Sequence, residues 1–128
     1  MDIKRARIVV VEDEKVMSTY ILGNLRRIGI LDLYAFPDGG SALREMPKIK
    51  PDLILTDVHM LPVGGIEFVR QLRALSNNQL SNTKVIFLSA DSSPTTIGEV
   101  LPLGVAGYLL KPPSLNALAA KIEAALQT

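Results

Sequence analysis

Short apolar runs alternate along the chain with longer stretches in which apolar residues recur at helical spacing. Ile8 to Val11, Leu53 to Leu55 and Val85 to Leu88 are uninterrupted apolar runs. They are too short for helices, and their uniform character suits strands buried on both faces of a parallel sheet. The pattern predicts strands over 7–11, from Leu53 toward Asp57, and over 84–88, with two more over 31–36 and 107–110. Val16, Met17, Tyr20, Ile21, Leu25 and Ile28 recur at three- and four-residue steps and predict a helix over 14–28, stopped by Gly29. The turn Pro37-Asp38-Gly39-Gly40 leads into a helix over 41–46, and Pro47 and Pro51 bracket the connection to the third strand. Phe68, Val69, Leu72 and Leu75 mark the inward side of a helix over 66–75, whereas 76–83 has no periodicity and reads as a polar loop. The helical pattern Ile97, Val100, Leu101 and Leu103 is interrupted by Gly98 and Pro102, so this helix, starting at Pro94, should be short and end near Leu101. Leu115, Leu118, Ala119, Ile122 and Leu126 stripe a last helix over 114–126.

Five alternations of strand and helix imply right-handed crossovers and a sheet covered on both faces. The expected fold is α/β, a flavodoxin-like (βα)5 three-layer sandwich with a five-stranded parallel sheet in the order 2-1-3-4-5. The 128 residues, 48% of them hydrophobic, suit one domain over 1–128. A net charge of +1 gives no global field for nucleic acid or anionic lipid, and the absence of cysteine removes disulfides, thiolate metal sites and a cysteine nucleophile. No apolar run approaches the roughly 18 residues of a membrane span. The basic start, Met1 to Arg7, leads directly into a short strand rather than the apolar stretch of a signal peptide, so a cytoplasmic location is expected.

Where the strands end, the chain turns polar: Glu12 and Asp13 after the first, Asp57 after the third, Ser89 after the fourth, Lys111 after the fifth. Ligands bind outside the carboxyl ends of such strands, and the expected order makes strands one and three neighbours, so the three acids converge with Ser89 and Lys111 beside Asp57. Three carboxylates at short range raise one another's pKa unless a cation sits among them. The oxygen-only donors suit a hard ion such as Mg²⁺. With an ammonium and a hydroxyl alongside, Asp57 becomes a place where a phosphoryl group could rest.

On these residues the chain resembles a response-regulator receiver domain over nearly its whole length. The marks are the acidic pair Glu12-Asp13, Asp57 with Gly65 eight residues on, Ser89-Ala90, Tyr108 three before Lys111, and the Lys111-Pro112 step. The resemblance implies that Asp57 accepts a phosphoryl group from a phosphohistidine on a sensor histidine kinase or phosphotransfer protein. It implies that Asp13, Asp57 and the backbone carbonyl of His59 hold Mg²⁺, or Mn²⁺ in its place, with Glu12 acting through water. Lys111 would pair with the phosphoryl oxygens, Ser89 would move to meet the phosphate, and Tyr108 would turn inward behind it. The peptide between Lys111 and Pro112 would be cis. The face formed by the fourth helix, fifth strand and last helix would then control an output domain or protein, and activated copies could pair as homodimers. No enzyme beyond its own phosphorylation and dephosphorylation is implied, nor direct binding to nucleic acid or membrane. The chain departs from the family pattern where Leu61 separates Met60 from Pro62. It is either a stand-alone receiver or the receiver portion of a longer protein.

Two other classes share part of this chemistry. An aspartyl-phosphate phosphatase of the haloacid dehalogenase type also uses Asp, Mg²⁺ and Lys, but places a second acid two residues after its nucleophile, where this chain has His59. A flavodoxin-like cofactor binder needs a hydroxyl- or glycine-rich phosphate loop after the first strand, where Glu12-Asp13-Glu14 would repel phosphate.

Overall fold

The computed structural model of the chain describes residues 1–127. Its elements follow one another as β1 (Arg7–Val11), α1 (Lys15–Ile28), β2 (Asp32–Phe36), α2 (Gly39–Ile49), β3 (Leu53–Asp57), α3 (Gly65–Arg73), β4 (Lys84–Ser89), α4 (Pro94–Val100), β5 (Gly107–Leu110) and α5 (Leu115–Leu126). All strand pairs are parallel, and the order is β2-β1-β3-β4-β5, as expected from the sequence. Alternation along each strand divides the core between the faces. Ile8, Val10, Leu53, Leu55, Ile86 and Leu88 pack with Ile21 and Leu25 of α1 and Leu118 and Ile122 of α5. Val9, Val11, Ile54, Val85 and Phe87 face Met46 of α2, Phe68 and Leu72 of α3 and Val100 of α4.

Several boundaries differ from the sequence expectation, each for a physical reason. Of the recurring set on α1, Val16 and Tyr20 lie outside the core, Val16 78% exposed, while Ile21 and Leu25 are buried, joined by Asn24 from outside the set. Met17, Ile21, Leu25 and Ile28 form the stripe packed on the sheet, and Val16 and Tyr20, one position before Met17 and Ile21, lie on its solvent flank. Pro47 does not bracket a loop but lies within the last turn of α2. Ala42, Met46 and Ile49 carry the buried stripe past it, and Lys50 ends the helix in the left-handed region (φ 51°), its N–H on the Met46 carbonyl. β2 begins at Asp32, and Leu31 is exposed. The loop over 76–83 contains a helical turn, Asn78–Ser81, whose start is capped by the Asn77 side chain accepting from Leu80 N–H at 3.1 Å. Leu80 alone anchors it in the core, which gives no periodicity to detect.

α4 is short, as the sequence predicts. It stops at Val100 and continues as a 3-10 turn, Leu101–Leu103, closed by Gly104 in the left-handed region (φ 68°). Arg73 fixes this end. Its guanidinium donates to the carbonyls of Leu103 (2.9 Å), Ser81 (3.0 Å) and Thr83 (2.7 Å), tying the end of α3 to the segment after α4 and the chain entering β4.

Candidate functional site

Parallel register brings the chemistry to one edge of the sheet. Val11 is paired with Thr56, so the next residues, Glu12 and Asp57, leave the sheet side by side. Asp57 is paired with Leu88, and Ser89 with Leu110, which sets Ser89 and Lys111 one step beyond. Two backbone bonds hold this edge: Glu12 N–H donates to the Phe36 carbonyl at 3.0 Å, and Lys111 N–H to the Ser89 carbonyl at 3.0 Å. The chain turns sharply after Asp57. A Cβ on Gly65 would lie 1.9 Å from the Asp57 carbonyl oxygen, so only glycine permits that approach.

Asp57 is nearly buried, and its carboxylate is held at both oxygens. Oδ1 accepts from Val58 N–H at 2.8 Å, and Oδ2 faces Lys111 Nζ at 2.9 Å. The same ammonium contacts Glu12 Oε1 at 2.5 Å, while Glu12 Oε2 accepts from Glu14 N–H at 3.0 Å. Burial pushes the Glu12 carboxyl above its ordinary range against the pull of Lys111, and the charge of Asp57 adds to the rise. Burial works against the Lys111 ammonium too, but the hydrogen bonds to Glu12 and Asp57 and their charges outweigh it and hold Lys111 above its usual value.

Asp13 is exposed at the rim, and carboxylate oxygens of Glu12, Asp13 and Asp57 lie within 4.8 Å of one another. Among the described residues these form the group able to hold a metal ion. The fit to a hard divalent cation is good, since every one of these side-chain donors is a carboxylate oxygen and three acids meet a single ammonium, that of Lys111, which contacts Glu12 and Asp57. An open depression of about 470 Å³, lined by Asp13, Val58, His59, Met60, Leu61 and Gly64, lies beside the acids. The peptides Leu61–Pro62 and Lys111–Pro112 are both cis, the second as the resemblance implies.

The His59 side chain does not turn to the acids but reaches across the mouth, Nε2 at 3.0 Å from Asp91 Oδ2. Ser89 is buried, its Oγ accepting from Asp91 N–H at 3.0 Å. The Tyr108 hydroxyl donates to the Asp91 carbonyl, and its ring packs against the Val9–Phe87 face of the core. Asp91 was not singled out by sequence, yet it joins these residues. Its carboxylate also accepts from Thr96 Oγ1 at 2.5 Å and Ser93 N–H at 2.8 Å. Those two bonds, Thr96 first, and then His59 hold its pKa far below the usual aspartate value. The signal lay in Asp91-Ser92-Ser93-Pro94, acceptors followed by proline at a helix start.

Residues 8–123 match the profile of the family described as "Response regulator receiver domain". The chain is 31% identical over 117 residues to the chemotaxis protein CheY of Pseudomonas aeruginosa, covering 91% of this chain and 93% of that protein. It is also 31% identical over 118 residues to the CAI-1 autoinducer sensor kinase/phosphatase CqsS of Vibrio cholerae, covering 92% of this chain but 17% of the relative. The solved structure of the chemotaxis protein CheY4 of Vibrio cholerae superposes with a TM-score of 0.87 at 27% identity, covering 95% of this chain and 99% of that one.

Proposed function

The chain belongs to the response-regulator receiver family, and from that premise we propose that Asp57 is its phosphoacceptor. The observation that carries this reading is the Lys111 ammonium, placed 2.9 Å from Asp57 Oδ2 and 2.5 Å from Glu12 Oε1 at an edge where Asp13 also points its carboxylate. A carboxylate oxygen of Asp57 attacks phosphorus, the bond from phosphorus to the donor breaks, and the donor leaves with the bonding electron pair, giving an acyl phosphate. Lys111, already at the carboxylate, is positioned to pair with oxygens of the arriving group, and its raised pKa keeps it charged for that purpose. Asp13, Asp57 and the His59 carbonyl, with Glu12 through water, would hold Mg²⁺, which supplies charge neutralisation for the phosphoryl oxygens.

Downstream, Ser89 is the group that would meet the phosphoryl oxygens, and to do so with its Oγ turned it must give up the bond from Asp91 N–H. That release loosens the loop bearing Tyr108's partner and the start of α4, so the α4–β5–α5 face is where an output would sense the change. The donor is a phosphohistidine on a sensor kinase or phosphotransfer protein, a reading supported by similarity to part of a sensor kinase/phosphatase. A phosphatase of the dehalogenase type is not favoured, because the side chain two residues after Asp57 is His59, engaged with Asp91.

The test is intact mass after incubation with acetyl phosphate and Mg²⁺. The wild-type chain should gain one phosphoryl group, and Asp57→Asn, whose amide is no nucleophile, should gain none. Full labelling of the variant would refute the assignment.

A further inference from the structure

α1 is linked to the loop that carries Lys111. Tyr20 is 42% exposed and outside the core, yet its hydroxyl donates to the Pro113 carbonyl at 2.8 Å, across 93 positions of sequence. Between that carbonyl and Lys111 stand only Pro112 and the body of Pro113, two residues whose rings fix φ and which have no N–H to offer the sheet. The segment is therefore stiff, and holding its far carbonyl fixes the near end. Pro113 is buried, and the following Ser114 caps α5 by accepting from Ala117 N–H at 3.1 Å. On its other side Lys111 is held through its own N–H by the Ser89 carbonyl.

We propose that Tyr20 is a positioning residue for Lys111: through the Pro113 carbonyl it holds the β5–α5 loop so that the ammonium falls between Glu12 and Asp57. The inference rests on the reading of Asp57 as phosphoacceptor with Lys111 as its cationic partner. An ammonium on four flexible methylene groups lands on a 2.9 Å contact reliably only if its Cα is fixed, because placement errors near 1 Å can cost up to about 100-fold in rate. A tyrosine whose ring adds little to the core, with its hydroxyl on a loop carbonyl, is suited to fixing that position rather than to adding burial.

The experiment uses Tyr20→Phe, which keeps the ring and removes the hydroxyl. Its labelling rate is measured with acetyl phosphate and Mg²⁺, a small donor for which docking of an exposed α1 side chain does not enter. The rate should fall roughly 3- to 30-fold while the melting midpoint hardly moves. In a Lys111→Ala background the same substitution should have no further effect, since nothing is left to position. The Cε–Hε signal of Lys111 in the metal-free protein should shift toward that of a free lysine in Tyr20→Phe, a readout that does not depend on labelling. An unchanged rate together with an unchanged Lys111 signal would overturn the proposal, as would an equal loss in the Lys111→Ala background. Failure of the wild-type protein to label would instead refute the phosphoacceptor reading, and the Lys111 signal would still decide the tether.

Discussion

Glu12 is buried beside a second carboxylate, and the one ammonium shared between them does not restore its ordinary affinity for the proton. Its pKa is raised in the folded chain, so the fold binds that proton more tightly than the unfolded chain does. The stabilisation this gives is complete below the unfolded value of 4.5 and is lost as pH rises through the folded value. Glu12→Gln, which resembles the protonated form, removes that term. Stability of the variant relative to wild type should therefore improve from pH 4.5 upward and level off above the folded pKa, in urea unfolding with chelator present. A difference independent of pH would show that the burial of Glu12 has no electrostatic consequence. Millimolar Mg²⁺ should favour the wild type, because the variant lacks the carboxylate.

At the scale of elements, α4 is where composition and function meet. The helix runs only from Pro94 to Val100, and a Cβ on Gly98 would have nothing within 4 Å, so the glycine is not required by packing. Gly98→Ala should stabilise the chain by about 1 kcal/mol, the ordinary helix preference of alanine over glycine. Pro102 then denies the continuation a hydrogen bond, and the chain passes into the Leu101–Leu103 turn pinned by Arg73. Held at its start by the Asp91 network and at its end by Arg73, with little of its own to stabilise it, α4 should exchange amide hydrogens faster than the other helices over 95–103. Beryllofluoride with Mg²⁺, a phosphoryl mimic, should slow that exchange. Protection in the free protein equal to that of α1, unaltered by the mimic, would contradict the reading of α4 as the moving element.

Taken as a whole molecule, the fold was legible in its apolar runs because a doubly covered parallel sheet demands them, and strand order follows from few permitted crossovers. The ends of those runs also announced Glu12, Asp13, Asp57, Ser89 and Lys111. What the sequence hid depends on contacts between distant segments. Val16 and Tyr20 keep helical spacing yet lie outside the core, since four-residue spacing does not tell which of two adjacent rows, Val16-Tyr20 or Met17-Ile21, faces the sheet. Pro47 and Pro51 read as brackets of a connection, yet α2 runs past Pro47 to Ile49 because Met46 and Ile49 continue its buried stripe. Asp91 and Tyr20 acquire their partners, Ser89, Tyr108 and Pro113, only once β4, β5 and α1 are assembled. The central claim for the assembled molecule is that its converging strand ends deliver a phosphoryl group to one carboxylate. Treating the acetyl phosphate-labelled protein with borohydride reduces an acyl phosphate to the alcohol, converting the labelled aspartate to homoserine, and peptide mass spectrometry then locates it. Homoserine at position 57 alone is the predicted result; homoserine at position 13 or elsewhere, with Asp57 intact, would contradict it.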